Sequence, residues 1–153
     1  MTISSILRAD HIFLIPQVTD KAELIRSMVN LIPTFDQEYK DIIVQAVLDR
    51  ENIMSTGVGG GIAIPHAKIE GFAQTMMVVV KLSKPVDFKS QDGQAVDVAF
   101  LVLGSTSNTS SHLRVLSALS RMLMNKELTA SIRNSSSPHE ILDVITHYDR
   151  HVA

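Results

Sequence analysis

The chain has 153 residues, 45% of them hydrophobic, a net charge of −2 and no cysteine. That length and apolar content suit one domain around a substantial core, and the missing cysteine removes disulfides, thiolate metal sites and a cysteine nucleophile. No block of Lys or Arg supplies the positive stripe of a nucleic-acid binder. No apolar run approaches the ~18–20 residues of a bilayer crossing, so the expectation is a cytoplasmic protein without membrane insertion.

Thr19 or Asp20 can cap a first helix, with Glu23 three residues after Asp20 as in a capping box. Leu24, Ile25, Met28, Leu31 and Ile32 then recur at helical spacing until Pro33. Asp36 can cap a second helix that ends near Arg50, with Tyr39, Ile42, Ile43, Ala46 and Val47 as its buried stripe. The segments "TMMVVVKL" (75–82) and "AVDVAFLVL" (95–103) are nearly continuous apolar runs, which predicts strands covered on both faces. "PVDF" reads as a short edge strand before the Asp92-Gly93 turn.

Beyond the polar loop 104–111 the spacing predicts a helix capped by Ser110 or Ser111, with Leu113, Leu116, Leu119 or Ser120, and Leu123 on one face. A last helix starts at Ser137-Pro138-His139-Glu140 and presents Ile141, Leu142, Val144 and Ile145. The tail after about Thr146 is expected to be loosely held. The pattern as a whole is a sheet sandwiched between helices in a single domain.

"GVGGGIAIPHAK" (57–68) stands apart, because four glycines in five positions weaken regular structure and need another reason. The spacing excludes a Walker loop, since Lys68 lies beyond Pro65 and His66, and the dinucleotide pattern lacks its final glycine. What is left is a loop whose amides can approach an anion, beside a histidine held by the rigid ring of Pro65. Neutral imidazole is nucleophilic near pH 7 and can carry a phosphoryl group if its other nitrogen keeps its proton on a fixed acceptor. His112, in the first turn of its helix, lies where an anion is favoured. His11 reads as structural, and His139 falls in a first helical turn. His147 and His151 have the spacing of a helical metal pair with no third ligand in sight, so no metal or cofactor is expected.

"RENIMSTGVGGGIAIPHAK", "KPVDFKSQDGQAVDVAFLVLG" and "HLRVLSALSRML" together resemble, in order and over almost the whole chain, the fructose/mannitol/nitrogen-regulatory class of EIIA proteins of the bacterial phosphotransferase system. The resemblance implies an α/β fold with a mixed sheet between helices. It implies that His66 takes a phosphoryl group from an HPr-type or NPr-type carrier and that His112 supports it. Arg50 becomes a counter-charge, Ser55 and Thr56 hydrogen-bond donors, and Gly59 and Gly60 part of the phosphate cradle. Ala67 and Gly60 depart from the glycine and asparagine common in the family, which implies altered loop flexibility. The downstream partners implied are regulated target proteins or a IIB component of a transporter. The later segments resemble the nitrogen-regulatory branch more than the sugar branch. A surface that is apolar and shallow around His66 is expected in either case.

Overall fold

The computed structural model describes residues 2–152, the side chain of Val152 apart. Single 3₁₀ turns at Ile3–Ser5 and Ala9–His11 lead into β1 (Ile12–Ile15), followed by α1 (Lys21–Asn30) and α2 (Gln37–Ile53). Both helices start where their caps put them. Asp20 accepts from the Glu23 amide at 2.8 Å and Asp36 from the Tyr39 amide at 2.8 Å, while Glu23 reaches back to the Thr19 amide at 2.9 Å.

The sheet contains β2 (Gly57–Gly59), β3 (Ile62–Ala63), β4 (His66–Ile69), β5 (Met76–Val86) and β6 (Val96–Ser105), besides β1. Its order is β1-β5-β6-β3-β2, with β4 also on β6. β5 and β6 are antiparallel, whereas β1 on β5, and β3 and β4 on β6, are parallel, so the sheet is mixed. β3 and β4 form one interrupted line: Ile62 pairs with Val98, Ala63 with Ala99 and His66 with Val102 at a constant offset. The gap falls at Ile64-Pro65, where proline offers no amide to the ladder.

Three helices close the chain: α3 (Thr109–Leu123), α4 (Lys126–Asn134) and α5 (Pro138–Val152). Pleat alternation splits the core in two. Ala99, Leu101 and Leu103 of β6 join Val78 and Val80 beneath α1 and α2. Val98, Phe100 and Val102 join Met77 and Val79 beneath α3, α4 and α5. Helices cover both faces, as the unbroken apolar runs require.

Several expectations are corrected. Pro85-Val86 is the end of β5, not a separate edge strand, and Val86 pairs with Val96 after a register irregularity. Asn108, not a serine, caps α3 by accepting from the Ser111 amide at 3.2 Å. β1 and α4 do not follow from the sequence pattern. α4 carries only Leu128, Thr129 and Ile132 inward, too few apolar positions to announce a helix. Beyond Thr146, α5 runs on through Val152, and Asp149 accepts from the Ser4 amide at 2.7 Å.

The buried stripes also differ. On α2, Ile43, Val44 and Val47 face inward while Ile42 is 56% exposed. On α3 the buried set is His112, Val115, Leu119, Met122 and Leu123, leaving Leu113 57% exposed.

Candidate active site

β4 forms the edge of the sheet beside the carboxyl-terminal half of β6. Alternation turns Ala67 toward the α1–α2 core and puts His66 and Lys68 on the opposite face, the one α3 covers. At this edge α2 and α3 come close from opposite sides and enclose a shallow cavity of about 470 Å³. Ala46, Arg50, His66, Ala67, Lys68, Thr106, Thr109, His112, Leu113 and Leu116 line it, so it holds two cations, two imidazoles and no carboxylate. A larger cavity of about 620 Å³ between α4 and α5 includes Glu127 and Asp143, which disfavour an anion there.

His66 is half-buried, and its Nδ1 lies 2.9 Å from the carbonyl oxygen of Ile64. A carbonyl only accepts, so Nδ1 carries the proton and donates it, and Nε2 keeps the lone pair. Ile64 can serve this way because its own amide is bound to the Thr56 carbonyl at 3.0 Å and Pro65 fixes the chain that follows. Burial, opposed by the Ile64 hydrogen bond, lowers the His66 pKa below the ordinary imidazole value, and the nearby Arg50 charge adds to the lowering. The ring is therefore neutral and nucleophilic at pH 7.

His112 is only 3% exposed, and its ring lies 5.8 Å from that of His66 between centroids, tilted by 48°. Gly104 makes that position possible. A Cβ there would lie 2.2 Å from His112 Nδ1 and 2.8 Å from Cγ, so the bare backbone of β6 is the floor on which the ring rests. Nδ1 is buried without a hydrogen-bond partner. Burial first, then the charges of His66 and Lys68, push the His112 pKa down to about 4. A proton on Nδ1 would be an orphaned donor, so the favoured tautomer carries it on Nε2.

The other site residues divide. Arg50 lines the cavity, with Nη1 donating to the Met54 carbonyl at 3.1 Å. Ser55 and Thr56 are committed to the scaffold instead. Ser55 Oγ donates to the Phe88 carbonyl at 2.9 Å, and Thr56 gives its amide and hydroxyl to Glu51 at 2.7 and 2.6 Å. Glu51 is buried and also paired with Lys21 at 3.0 Å, which fixes the chain between α2 and β2.

Gly59 and Gly60 do not reach the histidines either. With Gly61 they make the β2–β3 turn, at φ of 98°, 65° and 81°, values that suit residues without Cβ. Gly60 donates its amide to Asp92 at 3.0 Å, and Arg133, anchored on Asp97, clamps its carbonyl. His66 pairs four positions farther along β6 than Ile62 does, about 13 Å away at the rise of a strand. The glycines shape a hairpin that lies apart from the two histidines. Beside the histidines the cavity is lined instead by Thr106, Lys68 and Thr109 at the start of α3.

Lys68 and Gly104 were the signals overlooked. One stands two residues after His66 on a strand, and the other is an isolated glycine in an apolar run, the mark of close approach by a neighbour. Elsewhere, His147 and His151 stack at 4.0 Å between ring centroids, and among the described residues no group of three His, Cys, Asp or Glu is placed to hold a metal ion. Nor is any helix of the described residues long and apolar enough to cross a membrane.

Comparison with known proteins adds to this geometry. The chain is 32% identical over 155 residues to the PTS system fructose-specific EIIABC component of Bacillus subtilis, a match covering 98% of the chain but 24% of that protein. It is 38% identical over 106 residues to the nitrogen regulatory protein of Klebsiella oxytoca, covering 69% of the chain and 65% of that relative. The crystal structure of nitrogen regulatory protein IIA-Ntr from Neisseria meningitidis superposes with a TM-score of 0.85 at 30% identity, over 94% of this chain and 98% of that one. The family model described as "Phosphoenolpyruvate-dependent sugar phosphotransferase system, EIIA 2" matches residues 5–148, and the chain belongs to that family.

Proposed function

We propose that the protein is a phosphohistidine carrier that acts as a phosphorylation-dependent regulator of the nitrogen-regulatory type. The observation that carries this reading is the lone pair on His66 Nε2, kept there by the Nδ1 bond to Ile64 and set in a cavity with cations and no carboxylate. In the step proposed, His66 Nε2 attacks the phosphorus of a phosphohistidine on an HPr-type or NPr-type carrier. One P–N bond breaks as another forms, and the electron pair of the broken bond returns to the donor ring. His66 Nδ1 keeps its proton throughout, so no general base is needed. Catalysis is alignment and charge stabilisation. His112 Nε2–H and Arg50 meet the phosphoryl oxygens.

A protein donor has to dock over this cavity, and its rim suits one. Leu113 and Leu116 line the α3 side; Ile42, Ala46 and Arg50 form one i, i+4 column on α2, with Ile53 79% and Met54 57% exposed beyond it. Exposed apolar side chains around a polar centre fit a transient partner and exclude water from a labile bond.

The regulator reading is supported by relatives named nitrogen regulatory protein, one of which has a solved structure matching almost end to end. The likeness to a fructose-specific EIIABC component favours a second reading, in which His66 passes its phosphoryl group to a IIB component. Labelling by a phosphorylated HPr-type carrier tests the shared core: wild type takes the label and His66→Ala takes none. Full labelling of His66→Ala moves the site elsewhere. Quantitative onward transfer to a sugar-specific IIB would replace the regulator reading with the sugar one.

A further inference from the structure

Arg50 and Lys68 both line the cavity, but they are not equivalent. Arg50 is held by the Met54 carbonyl, whereas Lys68 takes part in none of the ion pairs among the described residues. It is exposed, stands two residues after His66 on the same face of β4, and pairs across the ladder with Gly104, the residue on which the His112 ring rests. The Cα atoms of His66 and Lys68 are therefore about 7 Å apart along the strand, well within the reach of a lysine side chain. His66, His112 and Lys68 surround one space, and the hydroxyls of Thr106 and Thr109 border it. Among the described residues no acidic side chain is paired with this cation. The Lys68 charge, after burial and the charge of His66, is also among the causes that lower the His112 pKa.

We infer that Lys68 is a phosphoryl-holding residue: its ammonium binds oxygens of the group carried on His66 Nε2 and so sets how fully His66 takes up and keeps that group. The inference rests on the carrier reading above and adds to it a residue that acts after transfer. A mobile ammonium on a strand edge follows an anion that arrives and leaves, while the fixed Arg50 supplies constant field. Because Lys68 is exposed, its contribution is screened by salt, and this separates an electrostatic role from a structural one.

The test uses the full chain, phosphorylated through an HPr-type carrier and followed by intact mass and ³¹P NMR, in wild type, Lys68→Met and Lys68→Arg. At low salt, Lys68→Met is expected to shift the equilibrium against phospho-His66 by roughly tenfold and to move the ³¹P resonance. The shift should shrink at high salt, and Lys68→Arg should retain most of the wild-type value. Wild-type equilibrium and resonance in Lys68→Met would overturn the inference while leaving the carrier reading intact. An equal loss in both variants at every salt concentration would also overturn it, since that is the behaviour of a structural residue. Absence of label in the wild type would overturn the carrier reading itself.

Discussion

Gly104→Ala adds one methyl group and should disable the site without touching either imidazole chemically. The backbone of Gly104 has no positive φ, so the substitution carries no conformational strain of its own and its cost is steric. The new Cβ would sit 2.2 Å from His112 Nδ1, 2.8 Å from Cγ and 3.0 Å from Cβ. These atoms belong to a ring 3% exposed at the start of α3, so relief requires the ring to leave its seat or the first turn of α3 to lift. Overpacking of this kind costs about 1–3 kcal/mol. With His112 meeting the phosphoryl oxygens as proposed, displacing its ring by an ångström would cost on the order of 100-fold in rate.

Denaturant unfolding, an NMR titration of His112 and the rate of phosphoryl uptake read the three consequences. Stability should fall, the His112 pKa should rise from about 4 toward the ordinary 6.5 as the ring gains solvent, and uptake should slow. In the Gly104→Ala/His112→Ala double variant the ring contacts are gone and only the 3.0 Å contact with the Cβ of residue 112 is left, so the double variant should lose less stability than the sum of the two single losses. A Gly104→Ala protein of wild-type stability, with His112 still titrating near 4, would refute the claim that this glycine exists to seat the ring.

Acid should destabilise the protein through the same residue. His112 is depressed in the fold to about 4 from the ordinary imidazole value of 6.5, so the unfolded chain binds more protons between those values. The contribution is complete above pH 6.5 and is lost as pH falls toward 4, up to about 3 kcal/mol. Urea midpoints across that range should show the slope in wild type and a shallower one in His112→Gln; equal slopes would assign the loss to other groups. Gly60→Ala should cost about 1 kcal/mol, because φ is 65° there although no atom lies within 4 Å of the added Cβ. Labelling of His66 should be unaffected, and a marked loss of labelling would return the glycine turn to the phosphate site.

How much of this was legible depended on the range of the forces involved. Asp20 and Asp36 were readable as caps because a cap is satisfied within three residues. β5 and β6 were readable because a strand buried on both faces has nowhere to place a polar side chain. The mixed sheet between helices came from the resemblance together with those runs. His66 and His112 were nominated by local context and family pattern, and the fold brings their rings together. What could not be read was which groups a residue spends on the scaffold. Thr56 is a plausible donor to a phosphate until Glu51 is seen to take both its amide and its hydroxyl. The glycines are a plausible cradle until the β3–β4 register carries His66 away from them.

Ile42 and Leu113 show a deeper reason for such misreadings. Periodicity finds apolar residues recurring on a helix, and it assigns them to the core because most such residues go there. It carries no term for a second apolar surface on the same helix. α2 buries Ile43, Val44 and Val47 and turns Ile42 outward; α3 buries His112, Val115 and Leu119 and turns Leu113 outward. Each helix thus serves the core with one stripe and borders the cavity with the next. The two stripes are adjacent, so a pattern count merges them and rotates the inferred face. The outward residues flank the strand edge that presents both His66 and Lys68, where the carrier proposed above would dock. A helix whose apolar face is wider than its core contact has apolar area left over for another molecule.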